Sequence, residues 1–439
     1  MVAEAAIDGR MAARLKLTPY KLLLAALFVY ATLFIGFKSR PMDFGVYYHA
    51  AEKLRTGEDI YAFMPEGAFS YPPFAAWIFT PLTLASRATP DLPIPRAAQW
   101  CWAALQGLSL VLVVHFAVCL SRRQWEALTR TQRVWLIGIV IFMSARHLAA
   151  PLESSQTDLM ITAMCLGAVL MLRSERAQRW SGAPLAAAVG MKAAPLLFLP
   201  FLARWRRWQA ALVMCVAVGV LNVLPSLQFP GATGRWHVLL WIDSMAKPAV
   251  EAGPAADRRG VWRADEEYNQ SLGGTLSRLF IKGCYSANAL LVQLSQRSMK
   301  IIFVVMALAL LGCAVFVRRG RWYGVTSPPL TPDGYDAAVV MALILLFSPK
   351  TSKAHYCSML LPIILITANA VRRPKQWSSI LWFIVGGAMG LLTKGVVGSK
   401  TCNTLLDYGY FVWFAVIVLV YLWFTRDTDD AMVSPARSS

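Results

Sequence analysis

Charge is scarce in this chain. Asp, Glu, Lys and Arg together make up 15% of 439 residues, and 24 acidic side chains stand against 43 basic ones. That balance lies far toward the membrane side of ordinary soluble usage, and no soluble domain of useful size interrupts the sequence. Cysteine spacing of the kind that builds metal or redox sites is also missing. The eight Cys (101, 119, 165, 215, 284, 313, 357, 402) stand singly, mostly inside apolar runs, with no CxxC pair, and read as packing residues. The dispersed acidic residues show no evident metal cluster, so the sequence asks for no cofactor, while help from a divalent metal is left open. No repeat and no low-complexity linker emerges.

What the chain does have is apolar bulk: 57% of its residues are hydrophobic and 16 are Trp. This composition predicts an all-α, polytopic integral membrane protein. The formal charge of +19 does not point to nucleic acid, because Arg and Lys fall in short clusters between apolar runs, as the positive-inside bias predicts. The first apolar run follows Arg10, Arg14 and Lys16 in the manner of a signal peptide. No small-residue cleavage site follows it, however, and many spans do, so it reads as retained.

The basic clusters also set the sidedness. Arg10, Arg14 and Lys16, "SRRQWEALTRTQR" (121–133), "RSERAQRW" (173–180), "RWRRW" (204–208), "RRGRW" (318–322) and "RRPK" (372–375) should share the cytoplasmic face. Parity then forces two apolar stretches not to cross. "FAAWIFTPLTLAS" (74–86), short and holding Pro81, reads as a re-entrant or interfacial helix. The stretch 183–203, with Lys192 and Pro195 at its middle, reads as two half-helices broken near "MKAAP". Ten spans remain, at about 20–38, 98–120, 134–150, 157–173, 209–228, 298–317, 335–348, 357–371, 378–394 and 408–425. They predict one integral membrane domain over 1–426, both termini cytoplasmic, and a disordered cytoplasmic tail over 427–439.

Polar residues of interest collect on the other face. Asp43 follows the first span and opens "DFGVYYHAAEKLRTG", where helical spacing of Tyr47, Ala50, Ala51 and Leu54 ends at Gly57. Asp43 could therefore be a helix N-cap, worth about 1 kcal/mol, and that role does not exclude chemistry, since a helix N-terminus would also hold the carboxylate ionised and aimed outward. "SYPPFAAWIFTPL" (70–82) brings two prolines to a short apolar helix, and Gln156 and Asp158 in "ESSQTDLM" stand at the outer start of a span that Ser155 or Thr157 could simply cap. Lys192 inside an apolar run marks either a partner or a snorkelling side chain. "DEEYNQSLGGTLSR" (265–278) reads as a loop with a helix start, with a glycosylation-like "NQS". "SPKTSKAHY" (348–356) puts Lys350, Lys353 and His355 on the external side, against the charge bias, which calls for an anionic ligand or lipid phosphates.

Taken in order, "D-F-x-V-Y-Y-x-A-A-x-x-L-x-x-G-x-x-x-Y", "YPPF…PL", "SQTD", "K-x-x-P", "NQS…R" and "SP…HY" resemble glycosyltransferase family 87, over residues 42 to about 362. The resemblance implies a GT-C membrane fold in a bacterial inner membrane, with its site on the external face. It also implies a polyprenyl-phosphate sugar donor, mannose rather than arabinofuranose being favoured, and a glycolipid or glycan acceptor, beside the membrane lipids themselves. It assigns Asp43 as catalytic base. The family's Gly-Gln-x-Asn falls on Ser155, Gln156, Thr157 and Asp158, with two departures, and of its late Trp and paired His only His355 is present. The residues fit this chemistry on their own terms: a phosphate leaving group needs no strong acid, but the acceptor hydroxyl needs a base and the departing phosphate needs positive charge. Asp43 can supply the first, and His355, Lys350, Lys353 and, more remotely, Lys192 the second, with inversion at the anomeric carbon. Tyr47, Tyr48, Tyr71, Gln156, Asp158, Asn269, Gln270 and Arg278 are the expected substrate-binding residues, and the helix at 74–86 is the expected wall of a lipid groove. Two other readings stay open: a lipid-linked substrate transporter or flippase, and a non-catalytic subunit of envelope polysaccharide assembly.

Overall fold

The structure, a computed structural model, describes residues 18–38, 42–62, 64, 67–84, 94–232, 234–248, 265–282, 289–316 and 332–433. The basic clusters at 10–16 and 318–322, and the tail 434–439, lie outside them. All regular structure among the described residues is helical. In chain order the principal helices are α1 Thr18–Gly36, α2 Asp43–Thr56, α3 Pro73–Trp77, α4 Arg96–Leu120, α5 Arg130–Ser154, α6 Asp158–Leu172, α7 Gly182–Met191, α8 Phe198–Arg204 and α9 Trp208–Gln228. They are followed by α10 Leu272–Phe280, α11 Gln296–Phe316, α12 Gly334–Phe347, α13 Leu360–Arg372, α14 Trp377–Leu391, α15 Ser399–Asp407 and α16 Tyr410–Val433.

Among the described residues, six helices are long and apolar enough to cross a bilayer: Pro19–Gly36, Arg96–Leu120, Arg130–Ser154, Trp208–Gln228, Gln296–Val315 and Lys353–Arg372. The number is seven if Ser399–Asp407 and Tyr410–Trp423, bent by 58°, form one span. The expected spans 157–173, 335–348 and 378–394 fall on the shorter apolar helices α6, α12 and α14. At 15 residues, α6 measures about 22 Å, against a hydrocarbon core of about 30 Å. The last helix runs on to Val433, so 427–433, expected in a disordered tail, continue it.

The two stretches expected not to cross are broken. Over 74–86 the chain makes α3 and then a 3₁₀ turn Thr80–Thr83, with Pro73 and Pro81 each in a first turn, where no N–H partner is needed. Over 183–203 it makes α7, an extended Lys192 (φ −158°, ψ 122°), a 3₁₀ turn Ala194–Leu197 and α8.

Lipid-facing helices stay greasy outside, with Leu22, Val29, Leu33 and Phe37 of the first span and Ile301, Val305 and Leu308 of α11 exposed. Around α2 the opposite holds. Phe44, Tyr47, Tyr48 and Leu54 are buried: Phe44 stacks on Trp102 of α4 (5.3 Å, 4°) and Tyr47 stacks on Phe79 (5.2 Å, 15°). Gly57 ends α2 in the left-handed region (φ 77°), where its N–H reaches Leu54 O.

Helix ends sort into two sets. Asp43, the α5–α6 turn, the end of α7 and the start of the segment at 353 come together at one end of the bundle, as the contacts below show. The other ends carry the basic loops. Gln132 Nε2 at the start of α5 donates to Val371 O at the end of α13 (3.2 Å), and Arg207 contacts Gln178 Oε1 between the loops after α8 and after α6. The clusters at 121–133 and 372–375, and those at 173–180 and 204–208, are thus joined in pairs.

Candidate active site

Asp43 is the first residue of α2, while Met42, at φ 49°, holds the N-cap position without a side-chain bond. Its carboxylate is therefore not spent as a cap. Instead Gln156 Nε2 donates to Asp43 Oδ2 at 2.6 Å, across 113 residues of sequence. Gln156 is presented by the tight link between α5 and α6, where Ser155 ends α5 in the left-handed region (φ 55°). Gln106, fully buried in α4, fixes that link by donating Nε2 to Gln156 O at 2.7 Å.

Burial holds the Asp43 carboxyl above the usual carboxylate range. The Gln156 hydrogen bond opposes this rise, the charge on Asp158 adds to it, and Lys192 and Lys38 pull it down. Tyr47 donates its hydroxyl to that of Tyr71 at 3.2 Å, and burial raises both phenols, with the charge of Asp43 adding to each. Tyr48 is buried beside them on α2.

Behind this carboxylate lies a buried charged cluster. Lys192 Nζ donates to Asp158 Oδ1 at 3.0 Å and contacts His355 Nε2, and His355 Nε2 stands 3.9 Å from Asp158 Oδ1. His355 is held from its other side, where the Ser352 N–H donates to Nδ1 at 3.2 Å. Lys192 is thus a central member of the cluster, neither remote nor snorkelling to the basic end. Asp158 is the first residue of α6 and the counter-ion of Lys192. Taking such a pair out of water costs several kcal/mol per ion, which mutual attraction repays only in part. A cluster of this kind is therefore better explained by what it can bind than by stability.

The remaining expected residues fall into two groups. Lys353 is half-exposed and pairs with Glu153 Oε2 at 3.0 Å, a surface contact of small energetic worth, and Lys350 is half-buried two residues after Ser348. Asn269, Gln270 and Arg278, expected to bind substrate, instead turn their groups to the main chain. Arg278, fully buried, donates to Asp407 O (2.9 Å), Glu266 O (2.7 Å), Asn269 O (2.9 Å) and Leu406 O (3.2 Å). Asn269 Nδ2 donates to Pro349 O (3.0 Å), and its Oδ1 accepts the N–H of Thr351 (3.0 Å). Gln270 Nε2 donates to Leu406 O (2.8 Å). Ser271 caps α10, its Oγ accepting the Gly274 N–H at 3.1 Å. This block ties the loop before α10 to residues 349–351 and 406–407.

Sequence reasoning missed Gln106 and Lys38. An amide midway along an otherwise apolar span is costly and marks function or a partner, which is the signal "AALQGLSLVLVV" carries. Lys38 Nζ reaches the carbonyls of Leu152 and Glu153, at the end of α5. No cluster of three or more His, Cys, Asp or Glu able to hold a metal occurs among the described residues.

No solved structure matches the chain. A curated relative from Mycolicibacterium smegmatis, the polyprenol-phosphate-mannose-dependent alpha-(1-2)-phosphatidylinositol mannoside mannosyltransferase, is 26% identical over an alignment covering 90% of this chain and 89% of its own length. The model of glycosyltransferase family 87 matches residues 69–349, so Asp43 and His355 flank the matched segment while Gln156, Asp158 and Lys192 lie inside it. With more than half of its length matched and apolar helices able to cross a bilayer, the chain is a membrane glycosyltransferase and belongs to glycosyltransferase family 87.

Proposed function

We propose that this protein moves a mannosyl residue from a polyprenyl-phosphate donor to a lipid or glycan acceptor, with inversion at the anomeric carbon and Asp43 as base. The acceptor hydroxyl attacks the anomeric carbon as its proton passes to the Asp43 carboxylate. The bond from that carbon to the phosphate oxygen breaks, and the electron pair stays on the phosphate. Proton transfer of this kind contributes about 10²- to 10⁴-fold. Lys192 and His355 stabilise the departing phosphate, with Lys350 and Lys353 at the rim, and Asp158 keeps Lys192 aimed. Tyr47, Tyr48, Tyr71 and Gln156 position the acceptor beside Asp43. Asn269, Gln270 and Arg278 act by holding the 349–351 backbone next to His355.

The observation that carries this reading is the meeting of a partly buried carboxylate, held by Gln156, with the Lys192–Asp158–His355 cluster at one end of the bundle. The mannosyltransferase relative favours mannose over arabinofuranose. Because the basic loops sit at the opposite helix ends, the site faces the external side and the C-terminus the cytoplasm. On this reading the short helices α6, α12 and α14 cross together with the longer ones, in the ten-span arrangement of a GT-C fold. The test uses vesicles holding the protein and radiolabelled polyprenyl-phosphate-mannose. The unaltered protein transfers label to lipid or glycan, and Asp43→Asn loses at least about 10²-fold of that rate. Unchanged transfer removes Asp43 from the reaction.

A further inference from the structure

A second intramembrane cation lies outside the candidate site. Arg146 stands in α5 eight residues before its end at Ser154, about 12 Å down the helix. It is half-buried in a mostly apolar stretch, "VWLIGIVIFMSARHLAAPL", where a charge is costly and marks a partner or a function. Its Nη1 donates to Leu392 O at 3.0 Å and to the Tyr410 hydroxyl at 3.4 Å, and its guanidinium lies 5.7 Å from the centre of the Phe411 ring. These partners are neutral, and among the described residues no carboxylate pairs with it. Nor is the charge needed to finish α14. Leu392 caps that helix, and its carbonyl also accepts from the Tyr410 hydroxyl at 3.4 Å. The loop that follows is basic as well: from Leu392 to Leu406 it carries Lys394 and Lys400, both exposed, and no Asp or Glu.

The lengths of the helices leave room there. At 15 residues, α14 measures about 22 Å and stops about 8 Å short of a hydrocarbon core of about 30 Å. Exposed apolar side chains flank its end, Leu391 on α14 and Phe142 on α5, whose ring packs closely over Gly390.

We propose that Arg146, with Lys394 and Lys400, holds the phosphodiester of an anionic phospholipid, drawn into the step where α14 ends, with its acyl chains along Phe142 and Leu391. The Nε and Nη2 groups, which take no part in the bonds to Leu392 and Tyr410, form a fork suited to two phosphate oxygens. The want of a carboxylate selects against choline and ethanolamine headgroups, whose ammonium would stand among cations with no counter-charge. The seat is separate from the Lys192–Asp158–His355 cluster, since Leu392, Tyr410 and Phe411 belong to no part of it.

The test titrates the purified protein in detergent with phosphatidylglycerol, phosphatidylcholine or inorganic phosphate, counting bound lipid by native mass spectrometry and following thermal unfolding. The unaltered protein should retain phosphatidylglycerol and melt higher with it, while phosphatidylcholine and inorganic phosphate do neither. Arg146→Gln keeps an amide donor for Leu392 O and should weaken the affinity for phosphatidylglycerol about tenfold. Should that variant not fold, Lys394→Gln combined with Lys400→Gln, at exposed positions, should weaken it about fivefold or more. Arg176→Gln, in the exposed basic loop at the opposite end, should leave it unchanged. Equal binding of the two lipids, an equal response to inorganic phosphate, unchanged affinity in the Arg146 or lysine variants, or an equal loss in Arg176→Gln overturns the assignment.

Discussion

At the residue scale the instructive side chain is Asp43, because the fold makes its charge costly. A carboxyl whose folded pKa lies above its unfolded one binds its proton more tightly when folded. The destabilisation is therefore absent below the unfolded pKa and fully present above the folded one, and stability should fall as pH rises through that window. Asp43→Asn removes the penalty. The variant proposed to stop transfer should accordingly melt at neutral pH no lower than the unaltered protein, a result that thermal unfolding in detergent can check and that sets a catalytic loss apart from a folding defect. Gln156 works the other way, since its hydrogen bond favours the ionised carboxyl. Gln156→Leu should raise the Asp43 pKa further, so the acid limb of the kcat/KM profile moves to higher pH while activity recovers at the alkaline side. A uniform loss at all pH values would instead mean that Gln156 only shapes the turn.

At the scale of elements, the block around α10 shows polar residues expected to bind substrate making main-chain joints between turns. Arg278 closes the loop before its own helix and also gathers the carbonyls of Leu406 and Asp407, where α15 bends into α16. Replacing it with Met removes the guanidinium donors to Asp407 O and Asn269 O, while Leu406 O keeps Gln270 Nε2 and Glu266 O keeps the Asn269 N–H; each buried carbonyl that loses its donor costs about 1–3 kcal/mol. Arg278→Met should lower stability by about 3 kcal/mol or more and reduce the yield of folded protein, whereas a substrate ligand would raise KM with an unchanged melting temperature. The local features of these elements were legible in the sequence: the stop of α2 at Gly57, the break near "MKAAP" and a helix start within 265–278 each follow from backbone preferences written in neighbouring residues. What could not be read was pairing. Gln156 meets Asp43 across 113 residues and Lys192 meets Asp158 across 34, and one sequence carries no signal that separates such partners from a cap or a snorkelling lysine. The same holds for Asn269 and Arg278, whose carbonyl partners at Pro349, Leu406 and Asp407 lie far off in sequence. Helix bounds near the site were legible by contrast: the expected 157–173 and 335–348 match α6 and α12 to within one residue at each end.

For the whole molecule, two ends follow from chain order. The helices α5 and α7 run toward the charged cluster, and α6 and the segment 353–372 run away from it, so the loops after α6 and α13 lie opposite the site. Those are the loops that carry Arg and Lys, and the contacts Gln132–Val371 and Arg207–Gln178 join them to their basic neighbours. In a bilayer, basic loops stay cytoplasmic, because moving them across is disfavoured. The reading proposed above therefore expects Glu153 and the Asp43 site outside and Arg176 inside. Cysteine substitution can test that arrangement directly, since both positions are exposed. In a background stripped of the native Cys, Glu153→Cys should react with a membrane-impermeant maleimide in intact cells, and Arg176→Cys only after permeabilisation. The reverse pattern would put Asp43 in the cytoplasm, where a base serving an external acceptor is of no use, and a donor built and consumed on the inner face would then have to replace the external one.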